Sequence, residues 1–288
     1  HLLKRRRIRK SLEAWCIEAL APQGLKPAAH HRLLIAELEK VARGETKRLM
    51  VLMPPGSAKS TYASDLFPAW FLAQGRDRRI IAASNTADLA HSFSRRVRGR
   101  VREHAAGLGY GLDREAEELW STTNGGEYRA AGVGAVITGL RADLGLIDDP
   151  VKGRQEADSE IVQQRVWDWY WGDFYTRLKP GAAQVLIMTR WSEGDLGGRL
   201  EEAEGDRWRI IRLPAIAEAG DMLGRAPGEF LWSDDEYRFG EKLRDDFASL
   251  TNAGRVRDWS ALYQQRPAPE SGDYFRREWL RPVNSLPP

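Results

Sequence analysis

Apolar positions recur along this chain with two different spacings, and each change of spacing marks an element. Ile8, Leu12, Trp15 and Ala19 fall at helical intervals and predict one amphipathic helix within residues 1–20, with Lys4 to Lys10 on its outer turns. Ala21-Pro-Gln-Gly24 breaks it. Leu34, Leu38 and Val41 then line a second helix from about His31 to Ala42, which Gly44 ends. The apolar run after Arg48, Leu49 to Met53, reads as a short buried strand. Arg79 to Ser84, Leu144 to Ile147, Gln184 to Met188 and residues 207–213 read the same way. Helical stretches fall between them, at Thr61 to Leu72 (interrupted near Pro68) and at about Asp88 to His104. Strand and helix in alternation predict an α/β domain with a mainly parallel central sheet flanked by helices. Residues 105–135 are glycine-punctuated and read as hairpin or loop. Past about residue 215 the texture turns to loops and short helices, including one near Phe239–Leu250. The chain therefore divides into a basic amphipathic segment (1–24), an α/β core (25–214), a small lid or linker subdomain (215–266) and a linker (267–288) that opens Pro267-Ala-Pro-Glu.

Composition narrows the class. With 42% hydrophobic residues the chain can build a proper core, and its net charge of +3 hides two local basic patches, Lys4–Lys10 and Arg95–Arg102. Each patch suits either contact with nucleic acid or a solvated helix face. The single cysteine, Cys16, excludes an internal disulfide framework and fits a reducing, intracellular setting. No apolar run approaches a membrane span, and no secretory signal is expected from the charged start.

The chemistry concentrates at Met53-Pro-Pro-Gly-Ser-Ala-Lys-Ser-Thr61, between a strand and a helix. That context suits a phosphate-binding loop over Pro55-Gly56-Ser57-Ala58-Lys59-Ser60-Thr61: the backbone N–H groups from Gly56 onward and the helix N-terminus would cradle ATP phosphates. Lys59 would reach the β- and γ-phosphates, and the Ser60 hydroxyl would hold Mg²⁺. The strict G-x-x-x-x-G-K-[ST] pattern is not met, because Met53 and Ala58 stand at its two glycine positions. Leu144-Gly-Leu-Ile-Asp-Asp-Pro150 follows, its Asp148 lying 89 positions after Lys59. A strand ending in two adjacent acids supplies the complementary half, with Asp148 on Mg²⁺ and Asp149 orienting the attacking water. Thr189, at the end of the Gln184–Met188 strand, is placed to sense the γ-phosphate. His30 and His31 either touch the base or cap a helix, and His31 is the residue assigned to ATP. The aromatics between Asp158 and Lys179 are either a stacking platform or core.

Several stretches together resemble the large terminase subunits, which pump DNA into phage capsids. They are His30-His31-Arg32, Arg48 to Thr61, Phe67-Pro-Ala-Trp70, Phe93-Ser-Arg-Arg-Val97, Ile137-Thr-Gly-Leu-Arg-Ala142, Ile147-Asp-Asp-Pro150, Trp167-Asp-Trp-Tyr170, Thr189-Arg-Trp191, Leu213-Pro-Ala215 and Tyr263-Gln-Gln-Arg-Pro267. The order is similar to the branch with Asp-Asp-Pro at the second ATPase motif. The resemblance implies an ASCE-type P-loop NTPase with a lid, hydrolysing ATP with Mg²⁺ to translocate double-stranded DNA. A helicase-like or recombination ATPase on the same fold is the alternative. Implied partners are the capsid portal, the small terminase subunit and further copies in a ring, expected as a pentamer, at the procapsid portal vertex in the host cytoplasm. The resemblance also implies a trans-acting finger at Arg141, a coupling role for Thr189, and a C-terminal nuclease. Only 18 residues follow Glu270, so the nuclease is expected outside this chain. The acidic pairs Asp234-Asp235 and Asp245-Asp246 are read as solvated.

Overall fold

The computed structural model describes residues 2–232 and 238–268; Asp234-Asp235 and most of the 267–288 linker lie outside the described residues. The first twenty residues form two helices, α1 (Leu2–Lys10) and α2 (Leu12–Leu20), where the apolar spacing predicts one. Ser11 separates them because its side chain accepts the Ala14 N–H and so caps α2. After α3 (Ala29–Arg43) comes β1 (Arg48–Leu52), then the loop, a π-helical stretch Thr61–Leu66 and α4 (Phe67–Ala73). Pro68 does not interrupt this run, since it sits in the first turn of α4, where an α-helix needs no proline N–H.

The chain continues through β2 (Arg79–Ser84) and α5 (Ala87–Leu108), then the strands β3 (Leu112–Glu115), β4 (Leu119–Thr122) and β5 (Glu127–Gly132). Next come β6 (Ala142–Asp148), α6 (Arg154–Ala157) and α7 (Glu160–Trp169). The last part holds β7 (Leu178–Met188), α8 (Leu196–Glu204), β8 (Arg209–Arg212), α9 (Phe239–Asn252) and α10 (Val256–Asp258). The strands form one sheet in the order β3-β4-β5-β2-β6-β7-β1-β8. From β5 to β8 all pairings are parallel, and only the β3–β4 and β4–β5 pairs are antiparallel.

Period-two alternation along the buried strands splits the core between the two faces. Leu49, Val51 and Met53 face the layer built from α1 to α5, whereas Met50 and Leu52 face the other side. There Trp169, Tyr170 and Phe174 are buried, so the aromatic cluster is mainly core. Gly145 lets it seat closely: a Cβ there would come within 2.6 Å of the Phe174 ring. The consequence for chemistry is topological. Strand β7 separates β1 from β6 and pairs with both, so three carboxyl ends meet along one edge of the sheet. No helix among the described residues is long and apolar enough to cross a membrane.

Candidate active site

Between β1 and the π-helical stretch, the loop closes on itself through Ser57 N–H to Pro54 O (3.4 Å) and Thr61 N–H to Ala58 O (3.0 Å). Gly56 has φ +78° and Ala58 has φ +57°. Ala58, where the sequence pattern would place glycine, therefore keeps a left-handed backbone, at a strain of about 1–2 kcal/mol for a residue with a Cβ. Gly56 is irreplaceable for a second reason, because the Phe239 ring of α9 rests where its Cβ would be, at 2.9 Å.

The two histidines stand behind this loop rather than in front of it. His31 Nδ1 accepts the Ala28 N–H (3.0 Å), so Nε2 carries the proton and donates to Ser57 O at 3.0 Å. His30 Nε2 reaches the same carbonyl at 3.3 Å. Both side chains are buried, and His31 stacks on Tyr62 with Trp232 edge-on. Burial, followed by the neighbouring His31, pulls the His30 pKa down to about 3, so this imidazole stays neutral. The assignment of His31 to ATP contact is corrected here: its ring holds the loop backbone from beneath and does not line the cleft.

In front of the loop, the sequence-assigned groups converge. Lys59 Nζ donates to Thr189 Oγ1 at 2.8 Å, and that hydroxyl donates to Met53 O at 3.2 Å. Ser60 Oγ donates to Asp148 Oδ1 at 3.0 Å. Ser64, one helical turn further on, donates to Asp148 Oδ2. Asp148 is buried, and desolvation together with the charge of Asp149 pushes its pKa up to about 7, against the pull of Ser64, Lys59 and Ser60. Asp149 lies at φ +45°. Its N–H donates to Ile187 O (2.9 Å), its carbonyl accepts from Asn85 Nδ2 (3.0 Å) and its Oδ1 accepts the Thr189 N–H (3.0 Å). Three such anchors can hold a strained residue at a working site.

The cleft above these groups has a volume of about 580 Å³. Residues 55–61, Asp149 and Thr189 line it, joined by Asn85, Lys152 and Trp191. Ser64, Asn85 and Lys152 were missed from sequence. Ser64 could have been found from its i,i+4 spacing to Ser60, and Asn85 from its place at the end of the β2 strand; Lys152 carries no local signal. Glu156, the next acid along the chain, accepts the Lys152 N–H at 3.0 Å and does not line the cleft. Arg141 stands apart from the cluster. It precedes β6 at the end opposite Asp148, on the order of 20 Å away at strand rise. Asp143, two residues further on, pairs with Lys179 at 2.9 Å. Arg141 is exposed, with no ion pair or hydrogen bond to its side chain among the described residues.

A family model described as the N-terminal part of the terminase large subunit, T4-like-virus type, matches residues 50–282. No curated protein matches the chain. The fold is similar to the large terminase of bacteriophage HK97, at 13% identity and TM-score 0.50, covering 80% of this chain and 49% of that one. It is also similar to a mutant of the large terminase ATPase domain of Thermus phage P74-26, at 12% identity and TM-score 0.51, covering 85% of this chain and 100% of that one. The chain thus spans about half the length of the HK97 protein. At these identities the likeness is one of fold, an α/β domain with helices around an eight-stranded sheet.

Proposed function

We propose, for a chain that belongs to the T4-like-virus type of terminase large subunits, that its cleft hydrolyses ATP and that this turnover drives double-stranded DNA into a procapsid. The observation that carries the reading is the meeting of Lys59 and Thr189, 130 positions apart, beside Asp148 and Asp149 at one strand edge. The cleft holds a cation for phosphate, an acid for metal and an acid for water, the three needs of phosphoryl transfer.

Lys59 rests on a neutral hydroxyl and is free to exchange that bond for phosphate oxygens. The donors around Asp148 fit Mg²⁺, which takes hard oxygen ligands, usually one or two carboxylates plus substrate phosphates. Asp148 and Ser60 would hold it, and when bound it would neutralise charge developing on the phosphates. A buried carboxylate whose pKa burial has raised to about 7 is short of countercharge, as expected of a site completed by a cation. Asp149 spends Oδ1 on the Thr189 N–H, which leaves Oδ2 to orient water at the cleft wall. Through that same N–H, Thr189 joins the water-orienting acid to Lys59.

We extend the reading to Arg141 as a finger for a neighbouring subunit, supported by its exposure and its distance from its own cleft. The Asp148-Asp149-Pro150 run supports the Asp-Asp-Pro branch. On this reading the portal, the small terminase subunit and a ring of copies are partners in the host cytoplasm, and a nuclease completes the full-length protein. The deciding experiment is ATP turnover by Lys59→Ala, expected to fall at least hundreds-fold with the far-UV spectrum unchanged. Near-normal turnover by a folded variant would remove the nucleotide assignment.

A further inference from the structure

The two basic patches legible in the sequence differ in one respect that only the fold reveals: one is largely paired with the protein's own acids and the other, apart from one lysine, is not. On α5, Arg95 pairs with Glu117 (3.1 Å), Arg100 with Asp65 (2.9 Å) and Arg102 with Glu115. Arg98 donates to Glu115 O at 3.2 Å, and Arg96 lies over the Phe93 ring. These arginines organise the protein's own surface.

The nine-residue helix α1 carries six cations, Lys4, Arg5, Arg6, Arg7, Arg9 and Lys10, and no acid. All six are exposed, and among the described residues the only ion pair is Lys4 with Glu18 at 2.7 Å. Arg5 with Arg9 and Arg6 with Lys10 are like charges at i,i+4, an arrangement that weakens a helix until an anion lies between them. The helix is nonetheless held in place. Ile8 is buried, its carbonyl accepts the Trp70 indole N–H (2.9 Å), and the Arg9 carbonyl accepts Gln74 Nε2 (3.1 Å). Against α4 it forms a notch of about 560 Å³ lined by Leu2, Arg5, Arg6, Arg9, Lys10, Ala73 and Gln74. The helix also lies outside the residues matched by the family model, which begin at 50.

We infer that α1 and this notch form a binding surface for the phosphodiester backbone of duplex DNA. Four of the six cations are arginines, whose planar forks contact phosphate oxygens at two points. Backbone recognition needs charge in this form and no base-reading groups. Leu2 and Leu3 are exposed in the first turn of α1, but a membrane surface would require an apolar stripe along the helix, and its one further apolar residue, Ile8, is buried against the protein. The choice of polyanion rests on the DNA-motor reading proposed above.

The test is fluorescence anisotropy of a 30-bp duplex against the purified chain without nucleotide, over a series of salt concentrations. Substituting Arg5→Gln, Arg6→Gln, Arg9→Gln and Lys10→Gln together should weaken binding about tenfold or more. It should also make the slope of log K against log salt shallower by about 2–4, at roughly 0.9 for each phosphate no longer neutralised. Lysine at the three arginine positions should keep most of the slope, and Arg95→Gln with Arg102→Gln should leave it unchanged. An unaltered slope in the folded four-site variant overturns the inference. So does tighter binding to phosphatidylserine vesicles than to duplex, abolished in the same variant. Because no ATP is present, failure of Lys59→Ala to lose turnover would strike the motor reading and leave this slope untouched.

Discussion

Two substitutions within the phosphate loop should move stability in opposite directions. Ala58→Gly relieves a φ of +57°, worth about 1–2 kcal/mol for a residue with a Cβ. Against that, glycine adds freedom to the unfolded chain, which offsets about 0.4–1 kcal/mol. The net expectation is a gain of roughly 0.5–1 kcal/mol, or about 1–4 °C in Tm for a domain of this size. Gly56→Ala meets the reverse situation: φ is +78°, and the new Cβ would lie 2.9 Å from the Phe239 ring. Strain and overlap then add, and with the unfolded-chain effect of opposite sign they leave a net loss of about 1–4 kcal/mol and a Tm several degrees lower. Differential scanning calorimetry of both variants, with ATP turnover as a companion readout, measures the pair. A destabilised Ala58→Gly, or two shifts of the same sign, would refute the claim that the loop holds alanine in a glycine conformation.

Three further outcomes are expected. The Asp148 pKa is raised to about 7, so the folded chain keeps a proton that the unfolded chain releases near pH 4; nucleotide-free stability should fall as pH rises between roughly 4 and 7. Asp148→Asn should flatten that slope in thermal melts, and a melt profile identical to wild type would refute the raised pKa. Thr189→Ala removes the hydroxyl between Lys59 and the Met53 carbonyl, and should keep ATP binding while abolishing DNA-stimulated movement; weakened affinity for ATP would show that the hydroxyl serves binding instead. Mixing inactive Arg141→Ala with inactive Lys59→Ala subunits should restore some turnover, since some interfaces pair an intact cleft with an intact finger, worth about 10³–10⁵ in rate where such fingers operate. A mixture that assembles yet stays inactive would end the trans role.

The fold was legible where burial dictates pattern. The apolar runs at Leu49–Met53 and Gln184–Met188 are strands because their backbones are covered on both faces, and their chemistry sits at their ends. Lys59, Ser60, Asp148, Asp149 and Thr189 were accessible for the same reason, each standing at a strand end or helix start. What escaped depends on the third dimension. Whether His31 faces nucleotide or the back of the loop turns on which side of Ser57 helix α3 packs, and no local spacing encodes that. Ser11 reads as an ordinary helical residue until its side chain caps the second helix. The partner of Asp143 is Lys179, 36 positions later across the β6–β7 pair, a contact that no local spacing encodes.

Gln265 adopts a left-handed φ of +58°, is 1% exposed, and accepts the Arg190 N–H at 3.1 Å. Arg190 follows Thr189 directly, and two residues before Gln265 the Tyr263 carbonyl accepts the Ala215 N–H at 2.7 Å. Any displacement of residues 263–265 therefore reaches the end of β7 along a path of a few covalent bonds and one hydrogen bond. Side chains on such a short path have little slack to absorb displacement. The segment around Gln265 is thus tied to the cleft by a single hydrogen bond beside Thr189, so a shift of that segment would be felt as a change of position at Thr189 itself.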